Sequence, residues 1–298
     1  MSRRQAFLIL AVLIIIWGMN WSVMKIGLQA IPPLWFAALR MAMGAPCLLL
    51  ALLLTRRRIR LPGAQDLPVL LSVGLVQMAW FLALCNMGLR YVPAGRSAVL
   101  AYTTPIWVTP AAAFFLRERL SPAKLCGVLL GLAGIAALSN PFGFDWSNRA
   151  VVLGNGLLML GAFGWALSIV HVRGHRWHAT PLDLAPWQML VAIVPLAILA
   201  YAVEGIPHIA WSPAVVGVLV YNGPIATAFA YWASVAVSKT LPAITTSLGL
   251  LGVPITGALV SALTLGEPLT LSLLLGLALI VGGVVLMLLA DRRAVRAA

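Results

Sequence analysis

Trp17, Asn20, Trp21 and Met24 stand at i, i+3, i+4 and i+7 in an apolar stretch, so one helix face carries two indoles, an amide and a thioether. None of these is a nucleophile or a general base; together they offer hydrogen bonds and aromatic surface, which is the chemistry of reversible binding. The same types recur downstream. Gln77, Trp80 and Phe81 share a helical face, Tyr102 lies just before Pro105, Trp165 and Ser168 are three apart, and Tyr221-Asn222 precedes Gly223-Pro224. An aromatic-plus-amide lining suits a ligand with an apolar or aromatic body and a polar head. The bland alternative is that Asn20 bonds a neighbouring helix, worth roughly 0.6–2 kcal/mol, and that the aromatics pack core or face outward. Trp17, Asn20, Trp21, Gln77, Trp80, Tyr102, Trp165, Ser168 and Tyr221 are therefore the expected cavity wall, with Gly161 and Gly164 read as packing contacts.

Signals for covalent or metal chemistry are weak. Neither H-E-x-x-H nor G-x-S-x-G occurs, and Cys47, Cys85 and Cys126 lie in apolar stretches without paired spacing. His171, His175 and His178 have i, i+4, i+7 spacing, but they fall in a basic loop with no carboxylate expected before Asp183, which argues against zinc. The expectation is no enzyme, no metal and no cofactor.

The elements that must hold these residues follow from composition. Of 298 residues 62% are hydrophobic and 9% charged, with a mean hydropathy of +1.02, whereas soluble domains carry roughly 25% charged residues. Apolar windows of about 20 residues, each long enough for a hydrocarbon core of roughly 30 Å, fall at about 6–26, 33–54, 67–89, 95–116, 122–139, 150–171, 182–202, 212–236, 241–263 and 269–290. The expected fold is all-α, with ten transmembrane helices around a central cavity.

The net charge of +13 is gathered in short clusters beside the spans, such as Arg56 to Arg58, rather than on an extended basic surface, which excludes nucleic acid. With the N-terminus in the cytoplasm, 15 of the 20 Lys and Arg residues fall on the cytoplasmic side. A multi-pass inner (plasma) membrane protein with both termini cytoplasmic is expected, its partners being the lipid bilayer and a small-molecule substrate, and a single copy sufficing.

An offset of 149 residues carries Pro46 onto Pro195, Pro93 onto Pro242, Pro105 onto Pro254 and Glu118 onto Glu267. Five spans per half is an odd number, so the second copy enters the membrane upside down. Residues 1–140 and 150–298 are thus expected as two inverted five-helix repeats, an arrangement that argues for alternating access over a channel. Pro105 and Pro254 remove backbone bonds to the carbonyls of Ala101 and Leu250 and are read as paired gating kinks. Arg40 is expected to snorkel to the outer interface, and Glu118 and Glu267 to pair locally or cap the helix that follows, through Ser121 or Thr270. Deep carboxylates are otherwise lacking, so transport is read as facilitative.

Trp17-Gly18-x-Asn20, Pro33 followed by Arg40, and the two Leu-x-Glu-x-Leu-[Ser/Thr] units ending at Ser121 and Thr270 resemble the drug/metabolite transporter superfamily, specifically its ten-helix EamA-type exporters. The resemblance covers nearly the whole chain and looks most like the YddG-type exporters of aromatic and other amino acids. It implies ten helices with both ends cytoplasmic around a central cavity, and export of amino acids, or alternatively of nucleosides or drugs. Pro268 stands where the first half has Arg119, a departure that breaks any symmetric pairing of the two glutamates.

Overall fold

The computed structural model describes residues 1–55, 59–118, 121–139, 146–266 and 271–296. Glu267, Pro268 and Arg119 of the expected motifs, and the cluster Arg56 to Arg58, lie outside the described residues. Helices occupy Arg3–Gly27 (α1), Pro33–Leu54 (α2), Ala64–Tyr91 (α3), Ala94–Phe115 (α4), Arg149–Gly174 (α6), Pro181–Glu204 (α7), Pro213–Thr240 (α8) and Ala243–Leu265 (α9), all long and apolar enough to cross a membrane. Pro122–Ser139 (α5) and Leu271–Arg296 (α10) complete ten, with no β-strand among the described residues.

The bundle has an apolar outer surface and a largely apolar core in which a minority of polar side chains is buried. On α1 the exposed side chains are Leu8, Val12, Ile15 and Met19, while Trp17, Asn20 and Trp21 are buried; Gln77, Asn86, Gln188, Asn222 and Thr227 are buried on other helices. A hydrocarbon solvent imposes this distribution, since it cannot satisfy polar groups and accepts leucine freely.

Helix packing pairs α1 with α9, α2 with α7, α3 with α6 and α5 with α10. In the last pair, a Cβ added at Gly134 would stand 2.7 Å from the Gly276 carbonyl, and one at Gly283 would stand 2.6 Å from the Gly127 carbonyl. The two contacts are related by the 149-residue offset, and each requires glycine because backbone meets backbone.

Two departures from plain helix follow the same offset. Ser72–Trp80 in α3 and Tyr221–Phe229 in α8 are π-helical, nine residues each. Helix α4 is interrupted at Tyr102-Thr103 and α9 at Leu250-Leu251, ahead of Pro105 and Pro254. Tight turns bridge the interruptions, with Tyr102 N–H donating to Val99 and Leu251 N–H to Leu248 at 3.2 and 3.1 Å. Each proline thus sits in the first turn of a restarted helix, where its missing N–H removes no helical bond. The helices are interrupted just ahead of the two prolines at which kinks are expected.

Helix starts without side-chain caps draw acceptors from distant segments. Pro32 precedes α2 and offers no side-chain cap, and the Glu204 carboxylate accepts from Leu34 N–H at 2.9 Å and Trp35 N–H at 3.1 Å. Pro242 likewise leaves α9 uncapped, and Glu118 accepts from Ala243 N–H at 2.7 Å and Ile244 N–H at 3.2 Å. Glu118 therefore caps a helix 125 positions away rather than the one that follows it. Negative charge at these N-termini also opposes the helix dipole favourably.

Candidate functional site

A cavity lies where both halves of the chain meet. Its wall is Trp17, Asn20, Trp21 and Met24 from α1, Arg40 from α2, Phe81, Leu82 and Cys85 from α3, Tyr102 from α4, Trp165 from α6 and Tyr231 from α8. The i, i+3, i+4, i+7 face of α1 thus presents all four of its members, as helical geometry requires. The interruption of α4 places Tyr102 at the end of its first segment, with its ring edge-on to Trp21 at 6.5 Å.

Aromatic rings form most of the wall. Trp165 meets Trp17 at 5.2 Å between centroids, Phe81 at 4.5 Å and Tyr231 at 5.6 Å, and Trp17 meets Tyr231 at 5.9 Å. These are edge-on or tilted contacts, the geometry that the ring quadrupole favours, each worth roughly 0.5–1.5 kcal/mol. The space they leave is about 20 Å³, enough for about one water molecule. An organic solute enters only if the helices separate.

Besides the two tyrosine hydroxyls, Trp17, Asn20 and Arg40 bring polar groups to the wall. The Trp17 indole donates to the Ala226 carbonyl at 3.1 Å. Asn20 Nδ2 donates to Met24 Sδ at 3.1 Å, while Asn20 Oδ1 is buried without a hydrogen-bond partner among the described residues. Arg40 is only 1% exposed. Its Nε donates to Thr227 Oγ1 at 2.7 Å, Nη1 to Met24 Sδ at 3.1 Å and Nη2 to Ala226 O at 3.4 Å. The expected snorkelling is therefore overturned: the side chain points inward, where Thr227 and the carbonyl of the π-helical segment of α8 receive it.

The structure brings Trp17, Asn20, Trp21, Tyr102 and Trp165 together and leaves four other candidates outside the wall. Gln77 and Ser168 meet one another instead. Ser168 donates to Gln77 Oε1 at 2.7 Å and Gln77 Nε2 donates to Ser234 Oγ at 3.3 Å, a satisfied link between α6, α3 and α8. Tyr221 donates to the Ile16 carbonyl at 2.8 Å and ties α8 to α1. Trp80 is 44% exposed on the outer surface, its indole donating to Leu160 O at 3.2 Å. The physical reason lies in the π-helical segment ending at Trp80. Its i to i+5 bonding takes more residues per turn, so residues four apart share a face and residues three apart do not. Phe81 thereby turns inward and Trp80 outward.

Tyr231 belongs to the wall although its surroundings in the sequence gave no hint of it. The 149-residue offset carries Leu82, another wall residue, onto Tyr231, and that correspondence would have found it.

The histidine run lies elsewhere and does have a carboxylate. Asp66, at the start of α3, accepts from His175 Nε2 at 3.0 Å, from His178 N–H at 3.1 Å and from Ala179 N–H at 2.7 Å. His171 Nδ1 is 2.7 Å from Ser72 Oγ. No group of metal-ligating side chains forms among the described residues; the cluster clamps the loop between α6 and α7 onto α3.

The comparisons with known proteins agree with this architecture. A solved crystal structure superposes with a TM-score of 0.75 at 24% identity, covering 98% of this chain and 99% of the other, which speaks for the fold alone. The uncharacterized transporter YoaV of Bacillus subtilis is 28% identical over 272 residues, covering 91% of this chain and 92% of that protein. A probable amino-acid metabolite efflux pump of Escherichia coli is 28% identical over 296 residues, covering 95% of this chain and 94% of that protein. The profile of the EamA-like transporter family matches twice, at residues 4–140 and 152–289. A helical bundle of membrane-length spans whose halves both match one transporter family has one classification: the chain belongs to the EamA-like transporter family.

Proposed function

We propose that this transporter of small organic solutes exports amino acids, aromatic ones included, by alternating access around the cavity of Trp17, Asn20, Trp21, Tyr102 and Trp165. The observation that carries the reading is the cavity itself, walled by aromatic rings and joined by an amide and a guanidinium, at the meeting of helices from both halves. Apolar walls with a few placed polar groups fit a solute with an aromatic or aliphatic body and a polar head. Relatives from Salmonella typhimurium and Escherichia coli that carry the name probable amino-acid metabolite efflux pump support the same reading.

In this proposal residues 1–140 and 150–298 are inverted repeats that rock against each other, and both termini face the cytoplasm of an inner-membrane protein. The breaks ahead of Pro105 and Pro254 supply the hinges, since backbone freed from the helical ladder bends at low cost. Facilitative transport is part of the proposal, since no carboxylate stands in the cavity wall among the described residues.

The test is uptake of radiolabelled amino acids by liposomes holding the purified protein, with and without an imposed proton gradient. Saturable uptake without the gradient, reduced by alanine at Asn20 or Trp165, is the expected result. Folded protein that moves no amino acid in either condition overturns the amino-acid reading and turns the search to nucleosides and drugs.

A further inference from the structure

Arg40 is the charged member of the cavity wall, and the partners it has are neutral: a hydroxyl, a thioether sulfur and a carbonyl at 3.4 Å. The ionisable side chains around it are Tyr231, Tyr221, Cys85 and Tyr102, with no carboxylate among the described residues. Four acids among the described residues are engaged elsewhere. Asp66 holds the α6–α7 loop, Glu118 and Glu204 cap α9 and α2, and Asp183 closes a capping box at the start of α7.

A guanidinium carries five N–H donors in a planar fork. Arg40 places one on a good oxygen acceptor, one on sulfur and one on a long bond, which leaves donor capacity at the Nη edge. A buried cation without a counter-ion costs several kcal/mol, and chains keep such groups where function requires them. A second, independent observation points the same way. Asn20 Oδ1 is a buried acceptor without a partner, and Asn20 Nδ2 and Arg40 Nη1 each stand 3.1 Å from the same sulfur, Met24 Sδ. Remaining donor capacity on Arg40 and an unspent acceptor on Asn20 therefore belong to the wall of one cavity.

We propose that Arg40 anchors a carboxylate of the transported solute, with Asn20 Oδ1 accepting from an N–H beside it. The inference rests on the cavity being the substrate site and narrows that reading to carboxylates. Fork-to-carboxylate pairing supplies the missing counter-ion and two parallel charge-assisted bonds. The same fixed charge repels organic cations, because in a low-dielectric site the repulsion is poorly screened. Zwitterionic amino acids and aromatic or aliphatic monocarboxylates are admitted; their amides and cationic amphiphiles are not.

The experiment measures binding to the purified full-length protein by thermal shift and calorimetry, using matched pairs that differ only at the carboxylate. The pairs are L-phenylalanine with L-phenylalaninamide, L-leucine with L-leucinamide, and 3-phenylpropionate with 3-phenylpropanamide. Wild type, Arg40→Gln and Arg40→Lys are compared. In wild type each acid that binds is expected to do so at least about thirtyfold more tightly than its amide, the loss typical of truncating a buried charge pair. Arg40→Gln should reduce that ratio to near one, with Arg40→Lys between, since lysine keeps the charge and loses the fork. Arg40→Gln removes an uncompensated buried charge, so its melting temperature should not fall.

Amides that bind as well as acids, an acid preference that survives Arg40→Gln, or an absence of binding by every acid would each overturn the proposal. If 3-phenylpropionate binds through Arg40 while neither amino acid does, the carboxylate anchor stands and the amino-acid reading falls. If both amino acids bind with no dependence on Arg40, the reverse holds.

Discussion

The indole of Trp17 on α1 and the guanidinium of Arg40 on α2 donate to one oxygen, the carbonyl of Ala226 in the π-helical part of α8, at 3.1 and 3.4 Å. Two helices of the first half are thereby tied to one point in the second half, beside the cavity. Any movement that parts the halves to admit a solute must break or carry with it these bonds.

Trp165→Ala removes three ring contacts, those to Trp17, Phe81 and Tyr231. With each worth roughly 0.5–1.5 kcal/mol, the variant should raise the KM for transport of L-phenylalanine at least tenfold while still inserting. Kinetics in liposomes with matched protein amounts check this; an unchanged KM would show that Trp165 does not contribute to holding the solute.

Trp80→Leu distinguishes the tertiary arrangement from the helical-wheel reading of α3. The side chain lies on the outer surface against Gly164, so KM should stay within about twofold of wild type, a surface change away from the site. A rise like that of Trp165→Ala would mean that Trp80 reaches the cavity in another state of the cycle.

Gly18→Val should destabilise the bundle. A Cβ at Gly18 would stand 2.4 Å from Thr256 Cβ and 3.1 Å from the Gly257 backbone nitrogen, so α1 and α9 would have to part. Overpacking of this kind costs about 1–3 kcal/mol or more, read as a lower melting temperature in detergent. Gly217→Ala, with nothing within 4 Å of the added carbon, is the matched neutral control.

Glu118→Gln and Glu204→Gln weaken the carboxylate caps on α9 and α2 by about 0.5–2 kcal/mol each. The two sites share no partner, so the double variant should show the sum of the two losses within about 0.5 kcal/mol. Equilibrium unfolding in mixed micelles measures it.

Asp66→Ala leaves the N–H groups of His178 and Ala179 without their acceptor, a loss of about 1–3 kcal/mol per buried group. The α6–α7 loop should then become the first point of protease cleavage, while Asp66→Asn, which keeps one oxygen, should be cut more slowly. Limited proteolysis of both variants against wild type decides the order.

Much of this architecture is legible in the order of the residues, for a physical reason: lipid demands helices of a given length, so hydropathy alone counts the spans. The 149-residue offset was equally legible, and it carries the π-helical segment of α3 onto that of α8 and Gly134 onto Gly283. The α1 face is local, repeating at helical spacing, and Trp17, Asn20 and Trp21 all reach the cavity. Arg40 and Trp80 depart from expectation, and the histidine run meets a carboxylate that the sequence analysis did not expect, because these environments are made by segments far away in the chain. Arg40 points inward because Thr227 and Ala226 lie 187 and 186 residues away to receive it. Trp80 points outward because a π-helical segment rotates α3, and Asp66 finds His175 across 109 residues. Local periodicity says which way a side chain faces along its own helix, whereas only the packing of one helix on another says what it faces.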